Sequence, residues 1–146
     1  MKPKFQQLYM DWALRVAELS YGKRLQVGAV IVKDDTVISY GYNGMPAGWD
    51  NNCENYVYNE NNEMSLKTKP EVLHAESNAI AKLAKSTNSG LGADLFVTHS
   101  PCMECSKLIF QSGIRRVFYA EDYRDDAGIK FLKLSGVEVK QVEKHT

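Results

Sequence analysis

The chain has 146 residues, of which 44% are apolar and 25% charged, and this composition is ordinary for a soluble globular protein with a core of its own. Its 18 basic and 18 acidic side chains cancel, which argues against a broad nucleic-acid-binding face. No apolar run approaches the ~20 residues of a membrane span, and the N-terminus lacks the apolar core of a secretory signal. We therefore expect one domain over residues 1–146, in the cytoplasm, with neither a membrane nor a nucleic acid as partner.

The first half of the chain predicts one helix, one hairpin and a long irregular segment. Two apolar runs, 27–32 and 37–42, predict an antiparallel hairpin that turns at 33–36. The glycine-rich stretch 41–48 follows as a loop, and the polar stretch 49–70, which has no clean periodicity, predicts a functional loop or lid. The helix is predicted over about residues 4–20, with a core-facing stripe formed by Phe5, Leu8, Tyr9, Trp12, Val16 and Leu19.

From residue 73 onward the chain alternates between predicted helices and strands. The helices cover residues 73–84, 102–112 and 127–134, with Gly113 as the cap that ends the second. The strands cover residues 95–98, 116–120 and 137–142. The first of these helices should bury Ala75, Ala79, Ile80 and Leu83. This alternation predicts a three-layer α/β/α fold with a central five-stranded mixed sheet.

Two short blocks carry the residues suited to chemistry. His74 and Glu76 stand at the start of one predicted helix, and Cys102 and Cys105 lie one turn apart at the start of the next. One imidazole and two thiolates can bind zinc and leave a fourth tetrahedral position open. Glu76 is then placed to carry protons, and the helix dipole should favour its ionised form.

Simpler interpretations exist for each block. A C-x-x-C pair also occurs in structural zinc sites and in redox proteins. A structural site normally has four protein ligands, and the only other cysteine, Cys53, is distant in the sequence. A thioredoxin-like protein would carry its C-x-x-C early in the chain and would leave His74 and Glu76 without a role. The combination therefore favours an open, catalytic zinc site.

The pattern H-x-E followed by P-C-x-x-C is the signature of zinc deaminases. At these residues the chain resembles the zinc-dependent cytidine deaminase superfamily, and most closely the deoxycytidylate (dCMP) deaminases. The resemblance is spread over most of the chain, in family order. Its supporting blocks are VGAVIV at 27–32, GYNGMPAG at 41–48, HAESNAI at 74–80, PCMEC at 101–105 and QSGI at 111–114.

The resemblance implies a cytidine-deaminase-like fold and hydrolysis of dCMP to dUMP and ammonia, which supplies dUMP for thymidylate synthesis. It implies one Zn²⁺ per subunit, bound by His74, Cys102 and Cys105, with Glu76 as the proton carrier. The substrate would be contacted by Asn43, Ala75 and the backbone of Ser100, and its phosphate by Arg24 and Tyr123.

The same resemblance implies regulation and assembly. Such enzymes are commonly homo-hexamers that dCTP activates together with Mg²⁺ and dTTP inhibits. An effector site at a subunit contact would use Gly41, Tyr42, Gly44, Met45 and Gly48. Lys82 and Lys85 lie on the exposed side of the 73–85 helix and are better explained as part of a solvated face. Some phage relatives hold a second, structural zinc ion, which we do not predict here because Cys53 lacks a cysteine partner near residue 20.

Two other functions remain open from the sequence. The same fold acts on free nucleosides, guanine or adenosine in tRNA, although a tRNA enzyme should be basic and this chain is neutral. The small tetrameric cytidine deaminases use three cysteines, whereas the first ligand here is His74. A non-catalytic, zinc-stabilised nucleotide-binding module is the alternative outside enzymes, and Glu76 argues against it because a structural site has no need of a free carboxylate.

Overall fold

The computed structural model describes residues 1–144 and confirms the predicted three-layer α/β fold. The last two residues of the predicted domain, 145–146, lie outside the described range. The helices and strands follow one another as α1 (Pro3–Ala17), β1 (Gly28–Lys33), β2 (Thr36–Tyr42), β3 (Glu54–Tyr58), β4 (Met64–Thr68), α2 (Ala75–Ala84), β5 (Asp94–His99), α3 (Met103–Gln111), β6 (Arg116–Glu121), α4 (Ala127–Leu134) and β7 (Glu138–Gln141).

The central sheet has five strands in the order β2-β1-β5-β6-β7, which confirms the predicted mixed sheet. β2, β1 and β5 pair antiparallel, whereas β5, β6 and β7 pair parallel. The predicted hairpin of β1 and β2 turns through Asp34 and Asp35, whose φ angles of 51° and 58° match the left-handed positions of a type I′ turn. The carboxyl ends of β5 and β6 lie side by side, and open α/β sheets bind their ligands at such an edge.

Alternation along the strands assigns side chains to the two faces of the sheet. Ala29 and Ile31 of β1 face α2, α3 and α4, and Val30 and Val32 face α1. On the α1 side, Phe96 stacks on Phe118 with ring centroids 4.6 Å apart. Because both faces are covered, the inner strands are apolar throughout rather than alternating with polar residues.

Helix α1 packs on the sheet through a different face from the one predicted. Tyr9 and Val16 are buried, but Phe5, Leu8, Trp12 and Leu19 are 36–50% exposed. A Cβ on Gly28 of β1 would overlap the backbone of Ala13 and Ala17, so the helix backbone approaches the strand closely at these two small residues. This close approach favours the helix face that carries Ala13 and Ala17. The buried residues of α1 are Gln6, Tyr9, Met10, Ala13, Val16 and Ala17.

The stretch 49–70 is not the irregular loop that the sequence predicts. Its middle forms a separate antiparallel pair, β3 and β4, in which Glu54 lies opposite Thr68 and Tyr58 opposite Met64. Most side chains of this pair are exposed, so polar and apolar residues do not alternate as they would on a half-buried strand. Hydrophobic periodicity therefore does not predict this hairpin.

The second half of the chain follows its predicted elements with small shifts. The fourth helix has the predicted bounds, and Gly113 ends α3 with a φ of 85°. Helix α2 begins two residues later than predicted, because Leu73 forms a backbone bridge with Gly44 instead of entering the helix. None of the helices in residues 1–144 is both long enough and apolar enough to cross a membrane.

Two leucines test the assignment of the core. Leu95 of β5 is completely buried, and Leu134 at the end of α4 is 90% exposed. We expect Leu95→Ala to lower the free energy of unfolding by about 2–5 kcal/mol, since it removes buried contacts and leaves a cavity. The matched change Leu134→Ala should cost less than about 0.5 kcal/mol in the same urea titration. Equal losses in the two variants would contradict the assigned packing.

Candidate metal and catalytic site

The N-termini of α2 and α3 bring His74, Cys102 and Cys105 together. His74 is the residue that caps α2, Cys102 caps α3, and Cys105 lies in the first turn of α3. Extended backbone before each helix turns these side chains toward one another. Both helices point their positive ends at the cluster, and a positive helix end favours thiolates and carboxylates.

The geometry of this cluster fits a tetrahedral zinc site. His74 Nδ1 lies 3.6 Å from Cys102 Sγ and 3.3 Å from Cys105 Sγ. Zn–N and Zn–S bonds at tetrahedral angles place nitrogen and sulfur about 3.5 Å apart. The three donor atoms lie within 4.8 Å of one another, and no fourth His, Cys, Asp or Glu among residues 1–144 joins them. Three protein ligands fit a site that keeps one position open.

Hydrogen bonds among His74, Cys102 and Cys105 shift the pKa values of all three side chains. Hydrogen bonds from Cys105 and His74 lower the pKa of Cys102 to about 4. The hydrogen bond with Cys102 and burial raise the pKa of Cys105, and the hydrogen bond with Cys102 also raises the pKa of His74. Cys102 is therefore the donor that ionises most readily, and the remaining protons would leave when a metal binds.

Glu76 lies in the first turn of α2 and is only 4% exposed. Burial raises its pKa to about 7, against the opposing effects of its backbone hydrogen bond and of His74. The expectation that the helix dipole keeps this carboxylate firmly ionised is thus outweighed by desolvation. A carboxyl group that titrates near neutrality can both accept and donate a proton.

One cavity of about 310 Å³ connects the cluster with the predicted substrate residues. This volume is at the lower end of the ~300–1,000 Å³ typical of small-molecule sites. His74, Ala75, Glu76 and Cys102 contribute to its wall. The other lining residues come from six stretches of the chain: Arg24, Leu25, Val27, Asn43, Cys53, Glu54, Thr68, Val72, His99, Ser100, Tyr123 and Arg124.

Asn43 lines the cavity and also holds its wall in place. Its side-chain oxygen accepts the Val27 N–H at 2.8 Å, and its amide nitrogen donates to the Leu25 carbonyl at 2.9 Å. A side-chain amide has a second donor hydrogen and a second acceptor site, which remain for a ligand. The substrate contact predicted for Asn43 is therefore compatible with this structural role.

Ser100 supports the neighbouring loop. Its hydroxyl accepts the Tyr123 N–H at 2.7 Å, and its own N–H donates to the Glu121 carbonyl at 2.9 Å. The Ser100 N–H is thus already committed, which leaves the carbonyl for the predicted backbone contact with substrate. Ala75 is fully buried and is the first residue of α2, where a backbone N–H has no partner within the helix.

Two arginines reach the cavity, and sequence reasoning identified one of them. Arg24 donates to Thr68 Oγ1 at 3.2 Å, which ties it to β4. Arg124 was missed, although it follows the predicted Tyr123 directly, and its guanidinium lies 5.5 Å from the Tyr123 ring centroid. Two guanidinium groups on one small cavity favour an anionic ligand.

His99 and Glu54 were also missed. His99 Nδ1 lies 3.0 Å from Thr98 Oγ1, and its Nε2 lies 3.1 Å from Glu121 Oε2. Burial lowers the pKa of His99, so the ring is neutral near pH 7. Glu54 belongs to the stretch that was predicted to be irregular, and no sequence signal placed it near the zinc motif.

Close backbone packing holds the two metal-binding turns in place. A Cβ on Gly128 of α4 would lie 2.2 Å from the Pro101 carbonyl oxygen. A Cβ on Gly41 would lie 2.4 Å from the Ala75 carbonyl oxygen. Only glycine permits these approaches, so α4 supports the turn of Cys102 and β2 supports the start of α2.

The residues predicted for an effector site divide into two groups. Gly41 and Tyr42 end β2, and Gly41 has the packing role just described. Gly44 and Gly48 follow in the loop, where a Cβ on either would meet no atom within 4 Å. Met45 lies between them and is half-buried. The open side of this loop is therefore free to approach another molecule.

Comparisons with known proteins agree with this site. The family model of the cytidine and deoxycytidylate deaminase zinc-binding region matches residues 3–121. The chain is 39% identical to ComE operon protein 2 of Bacillus subtilis over 138 residues, which are 94% of this chain and 70% of that protein. It is 36% identical to the deoxycytidylate deaminase of Saccharomyces cerevisiae over 145 residues, which are 97% of this chain and 46% of the yeast protein.

Among solved structures, the dCMP deaminase from cyanophage S-TIM5 in complex with dCMP and dUMP superposes with a TM-score of 0.87 at 43% identity. The match covers 97% of this chain and 99% of the phage chain. The chain belongs to the cytidine and deoxycytidylate deaminase family, and it is an enzyme of the deaminase class. The resemblance drawn from the sequence is confirmed.

Replacing one thiolate tests the metal site. We expect Cys102→Ala to lose most of its bound zinc, because two ligands hold a metal ion much more weakly than three. Its Tm should fall by about 5 °C or more, which corresponds to about 2 kcal/mol. Zinc is measured by atomic emission on the purified protein, and Cys53→Ala serves as the matched control that keeps its zinc. Unchanged zinc in Cys102→Ala would remove this residue from the ligand set.

Proposed function

We propose that this chain is a single-domain deaminase that hydrolyses dCMP to dUMP and ammonia with one bound zinc ion and thereby supplies dUMP for thymidylate synthesis. The observation that carries the proposal is one small cavity shared by the His74, Cys102 and Cys105 cluster, the buried Glu76 and two arginines. The similar phage structure that contains dCMP and dUMP supports this choice of substrate. The neutral charge of the chain fits a small ligand better than a nucleic acid.

His74, Cys102 and Cys105 would bind the zinc through Nδ1 and the two Sγ atoms. When bound, zinc supplies Lewis acidity that makes a water molecule nucleophilic near neutral pH. The role of the chain is to fix the donors before the metal arrives. It does so through the two helix N-termini and the glycine contacts beneath them.

Glu76 moves the protons of the reaction. The overall change adds water across C4 of the base and breaks the bond from C4 to the amino nitrogen. The Glu76 carboxylate takes one proton from water as the oxygen attacks C4, and it delivers this proton to ring N3. It then takes the second proton from the new hydroxyl on C4 and delivers it to the amino group, which leaves as ammonia while the C4 carbonyl forms. Its pKa of about 7 suits both directions of transfer, because neither protonation state is strongly favoured.

The rest of the cavity orients the nucleotide. Arg24 and Arg124 bind the 5′-phosphate, and the hydroxyl of Tyr123 lies 3.4 Å from Arg124 at the same place. Asn43 uses its remaining donor and acceptor, and Ala75 its backbone N–H, to hold the base and sugar near Glu76. Fixing both ends of a small substrate places the reacting carbon within reach of the catalytic carboxylate.

We also propose the regulation that family resemblance implies. Mg²⁺ with dCTP activates, dTTP inhibits, and the effector binds the 41–48 loop at a contact between subunits of a hexamer. Gly44 supports a route to the active site, because its backbone N–H and carbonyl bond to Leu73 at 3.1 and 2.8 Å, directly before His74. A ligand that shifts this loop would therefore act on the residue that carries the imidazole.

Ammonia release tests the proposed reaction. The zinc-loaded chain should release ammonia from dCMP and much less from dCTP, cytidine or guanine. Cytidine lacks the phosphate, guanine lacks both the phosphate and the pyrimidine base, and the triphosphate of dCTP is larger than the single phosphate proposed for this small cavity. Glu76→Gln should keep its zinc but lose about 100- to 10,000-fold in kcat. The control Glu71→Gln removes an exposed carboxylate and should keep full activity.

Each outcome of this assay has a distinct meaning. Turnover of cytidine or guanine in preference to dCMP would assign a different substrate to the same fold. No turnover of any compound would leave a non-catalytic nucleotide-binding module. Full activity in Glu76→Gln would show that another group carries the protons.

Effector titration tests the regulation separately. At low dCMP concentration, dCTP with Mg²⁺ should lower the half-saturating concentration of dCMP by about fivefold or more, and dTTP should raise it. The control is GTP with Mg²⁺, which should change nothing, and sedimentation should show a hexamer. A response to neither dCTP nor dTTP would reject the regulation while leaving the catalytic assignment intact.

A further inference from the structure

Glu54 is a buried carboxylate with one oxygen unused. It begins β3 and is only 3% exposed. Its Oε1 accepts the backbone N–H groups of Lys23 and Arg24 at 2.7 and 3.4 Å. Within residues 1–144 its Oε2 has no hydrogen-bond partner, and this atom has almost no contact with solvent. Such an atom is costly in a folded protein unless something binds to it.

Among residues 1–144, no basic side chain forms an ion pair with the Glu54 carboxylate. The nearest candidate, Arg24, directs its Nη1 to Thr68 Oγ1 instead. Burial and the charge of Glu54 raise the pKa of the adjacent Cys53, so this thiol stays neutral. Glu54 Oε2 can therefore accept a hydrogen bond from a molecule that binds in the cavity.

Glu54 lines the same cavity as the metal cluster and the two arginines. The two oxygens belong to one planar group, so the backbone donors on Oε1 hold the whole carboxylate in place in the wall of this cavity. A carboxylate accepts hydrogen bonds and donates none. It would repel a phosphate and attract a hydroxyl group.

We propose that Glu54 Oε2 binds the 3′-hydroxyl of the deoxyribose, an inference that rests on the proposed function. In the nucleotide, the amino group reacts at Glu76 and the phosphate offers only acceptors. The 3′-hydroxyl is the remaining strong donor. Glu54 thus selects for a substrate with this hydroxyl and fixes the sugar between base and phosphate.

The β3–β4 hairpin explains how one element serves both sugar and phosphate. Glu54 and Thr68 are direct partners across the two strands. Thr68 holds the Arg24 guanidinium, and Glu54 holds the Arg24 backbone N–H. A carboxylate for the sugar and a cation for the phosphate are therefore fixed side by side. The hairpin forms a wall of the active site rather than a detached lid.

The variant Glu54→Gln changes the group at the position of Oε2 and keeps an acceptor at the position of Oε1. Only the amide oxygen of glutamine can accept from Lys23 and Arg24, so its NH₂ group must occupy the position of Oε2. The fold keeps its backbone contacts, while a charged acceptor becomes a neutral donor. Glu63→Gln is the matched control, because Glu63 is an exposed carboxylate in the turn of the same hairpin.

The experiment measures kcat/KM for dCMP and for 2′,3′-dideoxycytidine 5′-monophosphate, which lacks the 3′-hydroxyl. The unmodified chain should prefer dCMP by about 10- to 100-fold, as expected for a hydrogen bond to a charged group. In Glu54→Gln this preference should shrink to about threefold or less. We expect kcat/KM to fall for dCMP and to stay unchanged for the dideoxy nucleotide. Glu63→Gln should keep the full preference.

The outcomes separate this inference from the proposed function. If the unmodified chain turns over both nucleotides equally well, the sugar contact is wrong, and this result requires no variant. If Glu54→Gln keeps the full preference for dCMP, or if its kcat/KM falls equally for both nucleotides, Glu54 does not bind the 3′-hydroxyl. Either result leaves dCMP deamination standing. Absence of dCMP turnover in the unmodified chain would overturn both proposals.

Discussion

The meeting of two helix N-termini is the constraint on which the rest of this site depends. His74 caps α2 and Cys102 caps α3, and neither cap residue uses its side chain to satisfy its own helix. Those side chains are therefore free to point at each other. The positive ends of both helices favour thiolate and carboxylate forms at the same point. The same arrangement places the buried Glu76 in the first turn of α2, beside the cluster that would bind zinc.

The sheet and two glycines maintain that meeting point. Parallel β5 and β6 deliver their following loops to the same edge, where Ser100 links the Tyr123 backbone to the turn of Cys102. Gly41 and Gly128 let β2 and α4 pack against the backbone of the two turns. A side chain at either position would displace the turn that carries Cys102 or the turn that carries His74, so these close contacts help to set the geometry of the cluster.

The cavity brings the His74 and Cys102 side chains and Glu76 together with a wall that carries two arginines, and these residues come from separate parts of the chain. Glu76 is buried enough to titrate near neutrality, whereas the arginines remain at the cavity surface. The β3–β4 hairpin completes the wall through Thr68 and Glu54. This small polar hairpin therefore forms part of the cavity wall, although it adds little to the core.

The sequence by itself determined the alternation of helices and strands and the grouping of His74, Cys102 and Cys105, because periodicity and motif spacing are local properties. Only the tertiary structure decided which stripe of α1 packs, since the size of Ala13 and Ala17 matters only against a partner strand. It also decided that 49–70 pairs as a hairpin and that Glu54 and Arg124 reach the cavity. Those features depend on contacts between distant segments, and no local pattern records them.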